Sequence, residues 1–132
     1  MQWDALENAG FTVDIPCLKA GKSYPHINVE NEIKGPIFTF YQDLIRLRKE
    51  MPIISEGSYQ PASEDNKQVY AFERQYEDQK LLVLNNFYAT EVEIDLPLAY
   101  QNGQVLISNY ENAEVSEKIL LKPYQTLDIY VN

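Results

Sequence analysis

VYAFERQYEDQKLLVLNNFYATEVEIDL, residues 69–96, changes its hydrophobic rhythm twice, and each rhythm describes a different kind of strand. Val69 to Gln75 alternates around Tyr70 and Phe72, the period of two that sends successive side chains to opposite faces. Leu81-Leu82-Val83-Leu84 is a continuous apolar run, as a strand covered on both faces requires. Val92, Ile94 and Leu96 then alternate with Glu91, Glu93 and Asp95, which gives one dry face and one wet face. Glu77-Asp78 and Tyr88-Ala89 supply turn signals between these segments.

The same pattern continues toward the C-terminus. Val105 to Ile107, Ile119 to Leu121 and Leu127 to Val131 read as strands, separated by Asn102-Gly103, Asn112-Ala113 and Pro123. Short strands at this spacing predict a mainly β fold, an antiparallel β-sandwich over residues 53–132.

Before the strands lies one clear helix. Pro36 follows Gly35 and occupies the place of a first helical residue. Ile37, Phe40, Tyr41, Leu44, Leu47 and Met51 recur at spacings of three and four, with Asp43, Arg46 and Lys49 off that stripe. Pro52 closes the helix, because its ring disfavours helical backbone at the preceding residue. Residues 1–34 are irregular, punctuated by Gly10, Pro16, Gly21 and Pro25, with one helical turn expected at Asn28 to Glu32 under an Asn28 cap. So long an irregular stretch is unusual inside a compact domain and reads as a loop belonging to something larger. The expected division is 1–52 and 53–132.

The 132 residues carry 20 acidic and 11 basic side chains, a net charge of −9. Such a surface repels phosphate backbones and anionic lipid, so neither nucleic acid nor membrane is expected as a partner. No apolar run approaches the roughly 20 residues of a spanning helix. The start, Met1-Gln2-Trp3-Asp4, lacks the basic and apolar regions of a secretory signal, and a cytoplasmic setting is expected. Cys17 has no second cysteine to pair with and is read as a small hydrophobe.

No complete active site can be composed from these residues. Glycoside cleavage needs two carboxylates about 5–10 Å apart. The acidic residues here fall on wet strand faces and turns, Glu91, Glu93 and Asp95 among them. His26 is the single histidine and sits in the irregular segment; neither a glycine-rich phosphate loop nor metal-spaced cysteines occur. No catalytic residue, metal or cofactor is expected. Ten tyrosines admit two readings: half-buried strand residues, or a sugar platform for which Tyr70, Tyr88 and Tyr110 are the candidates.

Two stretches resemble a known family. Met1-Gln2-Trp3-Asp4 with Asn8-Ala9-Gly10-Phe11 is similar to a loop of bacterial oligo-1,6-glucosidases, dextran glucosidases and trehalose-6-phosphate hydrolases, in glycoside hydrolase family 13. Ile27-Asn28-Val29-Glu30, then Ile37-Phe38 through Leu44-Ile45-Arg46-Leu47-Arg48-Lys49, looks like the end of that family's (β/α)8 barrel, its eighth helix included. Val69 to Arg74, Leu81 to Phe87 and Lys122-Pro123-Tyr124 resemble strands of its C-terminal domain. Where relatives often carry Pro-Trp and then Asn-Pro-Asn-Tyr, this chain has Pro16-Cys17 and Gly21-Lys22-Ser23-Tyr24.

The resemblance implies a C-terminal piece of an α-glucosidase: last barrel loop and eighth helix over 1–52, C-terminal sandwich over 53–132. The family's three catalytic carboxylates lie on earlier barrel strands, so none carries over. Gln2 and Trp3 match positions near the family's pocket and are expected as a remnant of the site wall. The motif normally follows Arg-Thr-Pro, and a start at Met1 suggests a truncated gene or an excised domain. The expected role is to stabilise a catalytic barrel. The alternatives are a carbohydrate-binding module, or a homodimer formed through the apolar face of the helix.

Overall fold

A computed structural model describes every residue except Tyr24, Ser63 and Glu64, so the departure at Gly21 to Tyr24 falls partly outside the described residues. The chain forms two compact units, Met1–Leu47 and Arg48–Asn132.

The first unit is more tightly tied than an irregular loop. At Glu7–Gly10 the backbone turns through three consecutive left-handed residues, Asn8 at φ 59°, Ala9 at 55° and Gly10 at 72°. Asparagine and glycine tolerate that conformation; alanine does not, and needs outside support. Ala9 is fully buried, its N–H donates to the Leu6 carbonyl at 2.9 Å, and its carbonyl accepts from Trp3 N at 3.0 Å. Asn8 Nδ2 reaches ahead to the carbonyls of Thr12 and Asp14. Cys17, expected to act as a small hydrophobe, is exposed instead.

The expected helical turn is α1, Val29–Glu32, and the buried Asn28 caps it, Oδ1 accepting from Asn31 N at 2.9 Å. Helix α2 runs Pro36–Glu50 with Arg48 and Lys49 in its last turn, where cations offset the exposed carbonyls. Met51 is extended (φ −114°, ψ 104°), as a residue before proline must be. Pro52 then starts a second short helix, α3, Pro52–Ser55, at the position where its missing N–H is not needed.

In the second unit, the strands among the described residues are β1 Gln60–Pro61, β2 Val69–Tyr76, β3 Gln79–Asn86, β4 Val92–Asp95, β5 Gln104–Ser108, β6 Lys118–Leu121 and β7 Thr126–Val131. They pair antiparallel into a main sheet of order β1-β2-β3-β7-β5 and a small sheet of β4 with β6. The β2–β3 hairpin closes Tyr76 onto Gln79 over Glu77-Asp78, with Glu77 left-handed at φ 54°.

The apolar run in β3 splits between two cores. Leu82 and Leu84 join Val69, Ala71, Leu127 and Ile129 on the face that meets Leu96, Ile119 and Leu121 of the small-sheet side. Leu81 and Val83 point the other way, with Tyr130, beneath Ile53 of α3. Arg74 fastens α3 from below, its Nη1 donating to the carbonyls of Ile54 (2.6 Å), Ile53 (3.3 Å) and Gly57 (3.4 Å). Gly57 leaves room for this lock, since a Cβ there would stand 2.3 Å from the Ile53 oxygen.

Asn86 joins three segments at the end of β3. Buried, it donates through Nδ2 to Thr90 and Lys122 carbonyls, both at 2.8 Å, and accepts from Tyr88 N at 3.0 Å. Asn86→Ala leaves those groups without these partners. It should cost about 3 kcal/mol, read as a lower urea midpoint at unchanged slope.

Candidate functional site

Two pairs of carboxylates in the second unit can be placed by register and by their partners. Glu93 and Asp95 are exposed on β4 and share Lys118, whose Nζ lies 2.9 and 3.7 Å from them. Their charge raises the Lys118 pKa, the Glu93 hydrogen bond contributing most. Glu73 and Asp128 sit in the main sheet, but Glu73 pairs with Leu82 and Asp128 with Val83. Adjacent residues of one strand face opposite ways, so these two carboxylates lie on opposite faces. Glu73 serves the buried Tyr100, whose pKa is raised first by burial and then by the nearby carboxylate. Among the described residues no three His, Cys, Asp or Glu side chains gather into a metal site.

Gln2 and Trp3 lie on a built support. Val29 N donates to the Gln2 carbonyl at 2.8 Å and Glu30 N to the Trp3 carbonyl at 3.0 Å, so the open end of α1 fixes both backbones. The Trp3 side chain remains 56% exposed, presented outward by that scaffold, while Gln2 is half-buried. His26 is exposed.

The three tyrosines expected as a platform make no ring contact with one another among the described residues. Tyr70 makes a 2.7 Å hydroxyl–hydroxyl bond with Tyr59, a bond that raises the Tyr59 pKa. Its ring meets Phe72 at 53° and Phe87 at 68°, and Tyr59 meets Phe72 at 38°. The result is an angular aromatic cluster with Tyr59, Tyr70 and Phe87 all exposed. Tyr88 is exposed beside Phe87 in sequence; Tyr110 is half-buried, its hydroxyl held by the Pro123 carbonyl and the Lys122 ammonium 5.2 Å from its ring centre. Neither makes a ring–ring contact among the described residues.

One group went unmarked in the sequence. Asp128 is half-buried in the middle of β7, between Val83 of β3 and Ile107 of β5. Desolvation raises its pKa from 3.8 to about 7. The signal was present in Leu127-Asp128-Ile129-Tyr130, where the acid takes the second face of a strand otherwise apolar on both sides.

Comparison with known proteins places the two units in one context. Residues 1–57 match the alpha-amylase catalytic domain, and residues 69–127 match the alpha-amylase SusG C-terminal domain. The oligo-1,6-glucosidase of Bacillus cereus is 41% identical over 96% of this chain, and the trehalose-6-phosphate hydrolase of Bacillus subtilis is 36% identical over 96%. The crystal structure of trehalose-6-phosphate hydrolase from Bacillus licheniformis matches 98% of the chain at 40% identity with a TM-score of 0.80. The chain spans about a quarter, 24%, of the length of each of these proteins.

Proposed function

We propose that this chain, which is similar to the C-terminal region of alpha-amylase family (glycoside hydrolase family 13) enzymes, acts as a non-catalytic region that completes and stabilises a catalytic barrel. One observation carries the reading. The first unit leaves large apolar side chains in water: Val13 is 99% exposed, Ile15 96%, Leu18 86% and Ile37 68%, and Tyr41 and Ile45 are also exposed. Burying each such side chain stabilises by about 1.5–3 kcal/mol, which favours a large partner.

On this reading the whole protein is a cytoplasmic α-glucosidase acting on terminal α-glucosidic bonds of isomalto-oligosaccharides, dextran ends or trehalose 6-phosphate. Retaining hydrolysis through a covalent glucosyl intermediate would be done by carboxylates of the barrel. Trp3 and Gln2 would contribute a piece of wall beside that pocket.

A chimera tests the proposal. This chain replaces the corresponding last quarter of the B. cereus oligo-1,6-glucosidase, and is compared with the same enzyme cut short. The chimera should be folded and active and the shortened enzyme aggregated or inactive; equal behaviour of the two would refute the stabilising role. The competing cover for α2 is a second copy of the chain. A doubled solution mass of the isolated chain, reversed by Phe40→Glu, would favour that dimer.

A further inference from the structure

The face of the main sheet that carries Asp128 divides into two parts around it. On one side, Leu81 and Tyr130 are buried beneath Ile53 of α3. On the other side, polar groups satisfy one another: Thr126 Oγ1 donates to Asn85 Oδ1 at 2.8 Å, and Asn85 Nδ2 to the Tyr70 carbonyl at 3.3 Å. Between them runs a row in which Phe72 pairs with Val83 and Val83 with Asp128. The backbone of Asp128 is paired in the ladder, and its carboxylate makes no hydrogen bond or ion pair among the described residues. The cation on this face, Arg74, stands on β2, two strands away, and is held by the α3 carbonyls.

A carboxylate placed against Val83 and its apolar neighbours without a donor is disfavoured, and a cation brought to it relieves that cost. Among the described residues of the second unit, no cation is paired with it. We propose that this face is a docking surface for a partner segment presenting an arginine among apolar side chains, with Asp128 taking the guanidinium. The inference rests on the docking role proposed above and names the chemistry of the surface the barrel side would bring.

Arginine suits the site better than lysine. Its planar guanidinium is weakly hydrated, binds a carboxylate through two parallel hydrogen bonds, and stacks on aromatic rings of the kind Phe72 and Tyr130 provide nearby.

The test uses the 132-residue chain with n-butylguanidinium as a stand-in for an arginine side chain, and uncharged n-butylurea as control. Amide spectra are recorded near pH 8, where Asp128 is ionised. Saturable shifts centred on Val83, Asp128 and Tyr130 are expected with the guanidinium, absent with the urea and lost in Asp128→Asn. Unchanged shifts in Asp128→Asn, shifts spread over exposed acids such as Glu93 and Asp95, or no saturation at all would overturn the assignment. An active chimera with no guanidinium response would sink this inference alone; an inactive chimera would sink the barrel role while the titration still reports on Asp128.

Discussion

Stability of the isolated chain should fall as pH rises from about 4 to about 8, and Asp128→Asn should remove much of that fall. In the unfolded chain Asp128 releases its proton near 3.8; in the folded chain, desolvated beside Val83, it holds it to about 7. Between those values the folded state binds more protons, so folding weakens with increasing pH. The contribution is fully present below 3.8, is lost progressively, and is gone above about 7. At about 1.4 kcal/mol per pH unit, the interval corresponds to at most about 4 kcal/mol. Urea midpoints of the two proteins should agree near pH 4 and separate near pH 8 with the variant higher. Exposed carboxylates such as Glu93 and Asp95 are common to both and cancel in the difference. Parallel profiles would mean that Asp128 ionises in the fold without penalty.

Ile129→Ala should have an effect of similar size and opposite sign. Ile129 is fully buried in β7, opposite Leu82 on one side and Val105 on the other, and its Cγ2 occupies the space left free by Gly103. Its neighbours belong to a paired sheet and cannot collapse freely into the cavity, so the expected cost is about 2–5 kcal/mol. That is a large part of the roughly 5–15 kcal/mol by which a domain is stable. Leu120→Ala, in β6 but 54% exposed, should change stability by less than about 1 kcal/mol. Chemical unfolding of both variants checks the contrast; equal losses would mean that the two-sheet core is not where the stability resides.

The elements with strong periodicity were legible in the sequence. The stripe from Ile37 to Leu47 became α2, and the three rhythms of residues 69–96 became β2, β3 and β4. The faces of β3 and β4 are as expected, whereas β2 buries Val69 and Ala71 and leaves Tyr70 exposed. Four-residue α3 and two-residue β1 are too short for any period to register. Pro52 marks a stop and also begins α3, which Arg74, some 20 residues later, holds by its carbonyls. The order of strands in the sheet depends on contacts distant in sequence, which local pattern does not encode. The site was less legible. Tyr70 and Tyr88 look alike as exposed strand-end tyrosines, yet one is fixed by Tyr59 and the other is not. Asp128 is conspicuous only once the register shows that its row holds Val83 and Phe72.

Strand order also has a consequence for synthesis. The β2–β3 hairpin can form as soon as it emerges from the ribosome, because its partners are neighbours in the chain. Strands β4 and β5 cannot: β4 pairs with β6, and β5 joins its sheet only through β7. From Val92 to Ser108 the nascent chain therefore carries apolar strand edges with no template, Val105-Leu106-Ile107 foremost, until residues 118–131 have been made. That interval is the natural time for a chaperone to hold the chain, and slowing translation just after Ser108 would lengthen it.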